Sequence, residues 1–291
     1  FFKQKTAYEM CGRDWSSDVC SSDLTRGPQM KTQELTIDRH MGYAFDFKVR
    51  ELKNEPTLQY IRDSWLMAMA EMDSKQRATW EAIYDKKNEE FLKNPPVGKD
   101  LLRWKYQRYV KEYCRTIRSV DEQVGRLLDY LEEKGVLDNT VIVYTSDQGF
   151  LLGEHGLYDK RFMYEESFRT PLIISCPSLV KKHSVCKELV QNIDLAPTFL
   201  SLAGVEVPKE MSGRSLLPLF KNGKAENWRN ELYYHFYDYP AVGSVRKHDG
   251  IRTKRYKLIH WYGEGSGNDE AIDFWELYDL KKDVMEVNNY D

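Results

Sequence analysis

Three polar residues stand where an apolar stretch of the chain gives way to a loop. Asp147 and Gln148 follow the apolar run that ends at Tyr144, and Lys160 lies thirteen positions after Asp147. Carboxylate and amide oxygens are the hard ligands that Ca²⁺ and Mg²⁺ prefer, and a lysine ammonium suits the oxygens of a tetrahedral anion. The pattern therefore indicates a cation site beside a bound anion. An ordinary turn and a solvated surface lysine also fit these residue types, which by themselves leave the choice open.

The apolar runs on either side of this loop predict the strands that would position it. Val141–Tyr144 is continuously apolar, and Pro171–Cys176 is a second such run. Strands that are apolar on both faces are typical of a parallel sheet covered by helices. Ligands of such sheets collect beyond the carboxyl ends of the strands, where Asp147 and Gln148 stand. Gly149 allows the sharp turn that both side chains need in order to face one point.

Two helices precede these strands. Thr57–Asn94 reads as the first helix, and the two prolines and the glycine of Lys93–Asp100 interrupt it. A second helix is predicted from Asp100, as its cap, to about Lys134, because apolar residues recur there at spacings of three and four. Gly135 ends it.

The character of the sequence changes after residue 204. Asn192–Gly204 reads as a short helix with Pro197 in its first turn. Three short aromatic stretches then alternate with Gly and Asp/Asn clusters, which is typical of an antiparallel sheet. We predict an α/β domain over residues 25–204 and a smaller antiparallel subdomain over 205–291, with the boundary near Val205–Gly213.

Composition excludes some classes of function. The chain has 291 residues, 41% of them hydrophobic and 31% charged, with a formal net charge of −3. This near-neutral balance gives no electrostatic reason to expect a nucleic-acid partner. No apolar stretch approaches the roughly 20 residues that a membrane-spanning helix requires, so we expect no membrane span.

The first residues have an unusual composition. Phe1–Leu24 has neither an amphipathic period nor the shape of a signal peptide. It resembles the translation of a sequencing adapter, and we expect it to be a non-native leader outside the fold. Apart from this leader the cysteines are Cys114, Cys176 and Cys186, which lack the spacing of a disulfide framework or a metal site.

Several motifs, in order, resemble the C-terminal half of type I sulfatases, which belong to the alkaline-phosphatase-like superfamily. They are "TVIVYTSDQGFLLGEHGLYDKRFMYEESFRTPLIIS", "VQNIDLAPTFLSLAGV", "MSGRSLLPLF" and "WELYDLKKDVMEVNN", and the likeness covers Met30 to Asp291. Bacterial arylsulfatases and N-acetylglucosamine-6-sulfatases look most similar. The resemblance implies an α/β sheet sandwiched by helices, followed by a small antiparallel sheet. It also implies hydrolysis of sulfate monoesters, on aryl compounds or on glycosaminoglycan or mucin-type sugars, and a periplasmic or extracellular location.

The resemblance assigns roles to particular residues. Asp147 matches a calcium ligand of the family and Gln148 the ligand beside it, whereas Lys160 matches the lysine that contacts the sulfate ester and stabilises the departing alkoxide. Three residues of the C-terminal region stand where relatives border the pocket, and we expect them to contact the sugar: His235, His248 and Arg252.

One expected motif is missing from the chain. The family nucleophile is a cysteine in C-x-P-S-R that is oxidised to formylglycine, and no such motif occurs here. "CPSLV" at Cys176 lacks both the spacer before proline and the arginine, and we reject it as the nucleophile. The paired aspartates that complete the Ca²⁺ site in relatives are missing as well. We therefore expect this chain to be a sulfatase fragment, inactive as it stands, with formylglycine in an N-terminal part that it lacks.

Two alternatives stay open at this point. Phosphodiesterases and phosphonate monoester hydrolases belong to the same superfamily and would use Asp147 in a similar way. A non-catalytic carbohydrate-binding module rich in aromatic residues is an alternative of another class. It predicts exposed Tyr and Trp side chains and no convergence of Asp147, Gln148 and Lys160.

Overall fold

A computed structural model describes residues 27–30, 34–37, 67, 69–240, 242–267 and 269–290. The expected leader, residues 1–24, and the first part of the predicted first helix, residues 57–66, lie outside the described residues. The chain divides into two compact units. Of the described residues, the first unit comprises those up to Ile117 together with Leu152–Tyr158, and the second comprises Arg118–Leu151 and those from Asp159 onward.

The helices are α1 (Ser74–Lys93), α2 (Gly98–Glu133), α3 (Glu165–Phe168), α4 (Leu195–Leu202) and α5 (Leu217–Phe220), and short 3₁₀ helices cover Pro28–Met30, Leu137–Asn139, Glu154–Gly156, Asn192–Asp194 and Val242–Ser244. The strands are β1 (Ile142–Thr145), β2 (Leu151–Leu152), β3 (Tyr158–Asp159), β4 (Leu172–Ser175), β5 (Glu231–Phe236), β6 (His248–Thr253), β7 (Tyr256–Gly263) and β8 (Ile272–Asp279).

The two long helices differ from their predicted bounds at their starts. The predicted first helix is interrupted at Asp73, whose carboxylate accepts the Gln76 N–H at 2.8 Å while the Gln76 side chain accepts the Asp73 N–H at 3.0 Å. This capping box starts α1 as a separate helix. Helix α2 begins at Gly98, so Asp100 lies in its first turn and is not its cap. Gly135, with φ of +66°, follows the end of α2 as predicted.

The predicted parallel pairing of the first strands is wrong. Strands β1 and β4 pair antiparallel, with Ile142 opposite Ser175 and Thr145 opposite Leu172. A parallel pair needs a crossover connection, usually a helix. Between these strands, where the structure describes every residue, the only α-helix is the four-residue α3. Both strands are also partly exposed rather than buried on both faces.

The C-terminal region forms the predicted antiparallel sheet, in the order β5-β6-β7-β8. Side chains alternate between its two faces. Leu232, Ile259 and Trp261 are buried on one face, whereas Tyr233 and Trp275 are exposed on the other. The mixed α/β architecture with a C-terminal antiparallel sheet is thus confirmed, and the domain boundary near residue 205 stays a prediction.

Helices α4 and α5 pack against β4. Leu216, Leu219 and Phe220 form a buried cluster with partly buried neighbours that include Leu172 and Leu195. No helix within the described part of the chain has the length and apolar character that crossing a bilayer requires.

Candidate active site

The turn after β1 is fixed from two sides within the second unit. The Gly149 N–H donates to the Ser167 carbonyl of α3 at 2.8 Å. A Cβ at Gly149 would lie 2.1 Å from the Glu166 carbonyl oxygen, so glycine alone fits this approach. From the other side, the Asn192 carboxamide donates to the Asp147 carbonyl at 2.7 Å. The backbone that carries Asp147 is therefore anchored by two other segments.

Asp147 presents an ionised carboxylate to solvent. Its Oδ1 accepts the Ser146 hydroxyl at 3.1 Å and the Gln148 N–H at 3.0 Å. Desolvation favours a higher pKa of Asp147, but these hydrogen bonds and the positive charge of Lys160 together hold the pKa below its usual value. Among the residues that the structure describes, none hydrogen-bonds to Oδ2, so this oxygen is open to a ligand.

The backbone around Lys160 has an unusual conformation. Its neighbours Asp159 and Arg161 have φ of 74° and 93°, a region that non-glycine residues seldom adopt and that often marks functional sites. The Arg161 guanidinium pairs with the Asp159 carboxylate at 2.6 Å, which holds the segment in this shape. Within the described ranges no carboxylate forms an ion pair with Lys160, and its ammonium is available to an anion.

These residues share one cavity. A cavity of about 1260 Å³ is lined by Asp147, Gln148, Lys160 and Arg252, so the structure brings together four of the residues selected from the sequence. The six basic residues on its wall are Lys160, Arg161, Arg169, Lys187, Arg252 and Lys254, and the three acidic ones are Asp147, Glu165 and Glu188. This excess of positive charge favours an anionic ligand.

Arg252 is held in place by a partly buried neighbour, Glu165. Its guanidinium contacts the Glu165 carboxylate at 3.3 and 3.2 Å. Burial favours a higher pKa of Glu165, but the charge of Lys257 and the hydrogen bond from Arg252 outweigh it and lower the pKa. Glu165 therefore stays ionised and fixes the orientation of Arg252.

His235 does not reach the cavity. It is exposed, and its Nε2 lies 2.6 Å from the Tyr262 hydroxyl. Alternation along β5 turns Leu232 and Tyr234 toward the cavity wall and His235 toward the opposite face. Its predicted contact with the sugar stays a prediction that this placement does not support.

His248 is part of the core rather than of the cavity wall. Its side chain is fully buried, with the ring 4.2 Å from the Trp261 ring between centroids. Its Nδ1 donates to the Arg246 carbonyl at 2.9 Å, because a carbonyl can only accept. Burial lowers the pKa of His248 to about 4, so the ring is neutral. The structure does not bring His248 to a position for sugar contact, and that role also stays a prediction.

The donor set at the turn fits one side of a Ca²⁺ site. Asp147 and Gln148 offer hard oxygens to the cavity, and the open Oδ2 of Asp147 is unprotonated at neutral pH. Ca²⁺ takes about 6–8 oxygen ligands, and no group of three or more His, Cys, Asp or Glu is arranged to hold a metal in the described part of the chain. The two side chains thus suit a larger ligand set and do not complete one.

Sequence reasoning missed the ionic support of this wall. Arg169 and Lys254 line the cavity, and Lys257 lies fully buried behind it. One signal was available: Lys257 is in alternation with Ile259 and Trp261, which places a lysine on the buried face of β7. A buried lysine requires a partner, and the sequence does not reveal which acid provides it.

The fold agrees with the comparisons to known proteins. The sulfatase family model matches residues 53–205, and a model of the C-terminal region of N-sulphoglucosamine sulphohydrolase matches residues 153–291. The chain belongs to the sulfatase family. The predicted family and the alkaline-phosphatase-like α/β fold are thereby confirmed.

The chain is similar to several known proteins of this superfamily. An N-acetylglucosamine-6-O-sulfatase of Bacteroides thetaiotaomicron is 46% identical over 91% of this chain and 46% of the relative. The solved structure of BT4656 with its substrate D-glucosamine-2-N,6-O-disulfate has a TM-score of 0.79 at 45% identity, over 91% of this chain and 52% of that chain. PehA of Trinickia caryophylli, a multifunctional alkaline phosphatase superfamily protein, is 37% identical over 61% of this chain and 35% of the relative. The chain spans about half the length of the first two proteins.

Proposed function

We propose that the full gene product, meaning this chain with any sequence that flanks it in its gene, hydrolyses sulfate monoesters on a carbohydrate. The substrate class is a glucosamine derivative sulfated at O6, as in the N-acetylglucosamine-6-O-sulfatase to which the chain is similar. One observation carries the proposal: Asp147, Gln148 and Lys160 line a single cavity with an excess of basic side chains. An ordinary turn and a solvated surface lysine would not need to line the same cavity.

Each residue has a role in this proposal. Asp147 and Gln148 hold Ca²⁺ together with further oxygens, and the bound ion orients the sulfate and acts as a Lewis acid. Lys160 places its ammonium against the sulfate oxygens and neutralises the charge that develops on the departing sugar oxygen. Arg252, fixed by Glu165, provides a second positive group on the same wall for the anionic substrate.

The nucleophile is not supplied by this chain. The family resemblance implies formylglycine formed from C-x-P-S-R, and the 291 residues do not contain that motif. We propose that the chain by itself does not turn over substrate, since hydrolysis through a covalent intermediate requires an activated nucleophile. We also propose a periplasmic or extracellular location, as the resemblance implies.

A substrate panel tests this function. The full gene product is incubated with N-acetylglucosamine 6-sulfate, 4-nitrophenyl sulfate, a phosphodiester and a phosphonate monoester, and the released anion is measured. We expect release of sulfate from the sugar to exceed the other reactions. Turnover of the phosphorus esters with no release of sulfate would overturn the proposal.

The similarity to PehA supports a second candidate function, the hydrolysis of phosphorus esters. PehA is named for the wider alkaline phosphatase superfamily and is 37% identical over 61% of this chain. A phosphodiesterase or phosphonate hydrolase would use Asp147 and Lys160 in a similar way, and the panel separates the two classes. A carbohydrate-binding module without catalysis would release neither anion.

A further inference from the structure

A cluster of four charged residues extends from the cavity wall into the interior of the second unit. Glu165 and Arg252 line the cavity, whereas Lys257 and Glu286 are fully buried. The Lys257 ammonium is fully buried and lies 2.9 Å from Glu165 Oε1 and 2.7 Å from Glu286 Oε1. Two acids and two bases balance the charge of the cluster.

Glu286 also caps the start of α3. The residue at the N-cap, Tyr164, provides no side-chain hydrogen bond to the start of the helix. Instead Glu286 Oε2 accepts the Glu165 N–H at 2.6 Å, from 121 positions away. An acceptor at this place satisfies one of the free N–H groups of a helix start. Glu286 has φ of 52°, in the left-handed region, so its backbone adopts an uncommon conformation in the position that delivers this carboxylate.

Helix α3 in turn contacts the turn after β1, which carries the candidate metal ligands. The Ser167 carbonyl of α3 accepts the Gly149 N–H at 2.8 Å. Gly149 approaches the Glu166 carbonyl so closely that no side chain fits between them. Because Asp147 and Gln148 directly precede Gly149, any shift of α3 moves the turn that presents their oxygens. Lys257 acts on the same helix, since it also donates to the Met163 carbonyl at 2.7 Å just before α3.

We infer that Glu286 and Lys257 are positioning residues, which set the metal affinity of Asp147 and Gln148 and the orientation of Arg252 by fixing α3. This inference rests on the proposed function. Neither residue lines the cavity. Their substitution would change the residues that orient the metal ligands. Removal of such an orienting partner typically weakens metal binding about 10–100-fold.

The test is a Ca²⁺ titration by calorimetry of the folded full gene product. Glu286→Gln keeps the size of the side chain and an acceptor for the Glu165 N–H but loses the charge that pairs with Lys257. Lys257→Met keeps the apolar stem and loses the ammonium. We expect each variant to bind Ca²⁺ about tenfold more weakly and to show a raised KM for the sulfated sugar, because Glu165, the partner of Arg252, is held less firmly.

A matched control separates positioning from general damage. Arg246 is a second buried cation, whose guanidinium donates to the Glu270 carbonyl at 2.7 Å and to the Tyr239 hydroxyl at 2.9 Å. It does not line the cavity. We expect Arg246→Met to lower the unfolding temperature while the Ca²⁺ affinity stays within twofold of the unaltered protein. Equal weakening of Ca²⁺ binding in Arg246→Met would overturn the inference.

The outcomes distinguish this inference from the proposed function. If Asp147→Ala leaves Ca²⁺ binding unchanged, the proposed metal site itself is wrong. If Asp147→Ala weakens binding and both Glu286→Gln and Lys257→Met remain within twofold of the unaltered protein, only the positioning role is wrong. Should Lys257→Met fail to fold, Glu286→Gln carries the test alone, because it preserves volume and the capping acceptor.

Discussion

The side-chain amide of Asn192 donates a hydrogen bond to the backbone carbonyl of Asp147 at 2.7 Å. This bond joins the 3₁₀ helix before α4 to the turn after β1. The helix is itself held by a buried carboxylate, since Asp194 receives the Arg229 guanidinium at 2.7 Å and the Arg214 N–H at 2.8 Å. The first candidate metal ligand is therefore positioned by a rigid neighbouring segment.

Removal of this bond tests how much the turn depends on it. Asn192→Ala leaves the Asp147 carbonyl without its donor, and we expect Ca²⁺ binding to weaken about tenfold, as for other outer partners of metal ligands. Isothermal titration of the full gene product measures the affinity. Asn289→Ala is the control, because Asn289 makes a similar bond to the Trp275 carbonyl at 3.2 Å away from the cavity. Unchanged binding in Asn192→Ala would show that the turn holds its shape without this bond.

Lys160→Met tests the anion-stabilising role. We expect kcat for sulfate release to fall about 10²–10³-fold, the usual loss when one group that stabilises developing charge is removed. The free energy of unfolding is expected to change by less than about 0.5 kcal/mol, because the side chain is partly exposed and has no ion-pair partner among the described residues. Lys209→Met, at an exposed lysine outside the cavity, is the matched variant. Comparable kcat in both variants would contradict the assignment.

Gly149→Ala tests the close approach of the turn to α3. The added Cβ would meet the Glu166 carbonyl oxygen at 2.1 Å, and we expect a loss of roughly 1–3 kcal/mol in the free energy of unfolding. Gly125→Ala in α2 is the control, because nothing lies within 4 Å of its new Cβ. That variant should be up to about 1 kcal/mol more stable, since alanine is the better helix former. Denaturant unfolding of both variants decides the matter, and equal stability would refute the steric account.

His248 predicts an acid-dependent loss of stability. Its pKa is lowered by burial from 6.5 to about 4. Between these pH values the unfolded chain binds the proton and the folded chain does not, so stability falls as pH falls through this range. The contribution of this one group is roughly 3 kcal/mol. Unfolding of the unaltered protein and of His248→Phe at several pH values from 7 to 4 measures it. The substitution should flatten the slope, and an unchanged slope would count against a neutral buried ring.

Local features of the sequence were sufficient to predict part of the fold and of the candidate site. The turn at Asp147, the end of α2 at Gly135 and the aromatic strands of the C-terminal sheet were predicted, because each depends on neighbouring residues alone. The antiparallel pairing of β1 and β4 was not predicted, because it depends on the path of the chain that connects the two strands. The alternation of residues in β5 likewise could not show which face of the strand borders the cavity. The exposed position of His235, on the opposite face, was therefore not predicted.

Long-range charge pairing was the other part that the sequence could not supply. Lys257 is recognisable as a lysine on a buried strand face, but its partners Glu165 and Glu286 come from distant segments. Any of the many acidic residues of the chain would have satisfied the same requirement. Only the packing of the C-terminal sheet beside α3 identifies the two that do.

Asp147, Gln148 and Lys160 are proposed to form one side of a Ca²⁺ and sulfate site. The most direct test is the release of sulfate from N-acetylglucosamine 6-sulfate by the full gene product, with added Ca²⁺ and with a chelator, for the unaltered protein and for Asp147→Ala. The proposed site predicts release that requires Ca²⁺ in the unaltered protein and is lost in the variant. Equal, chelator-insensitive release by both proteins would contradict it.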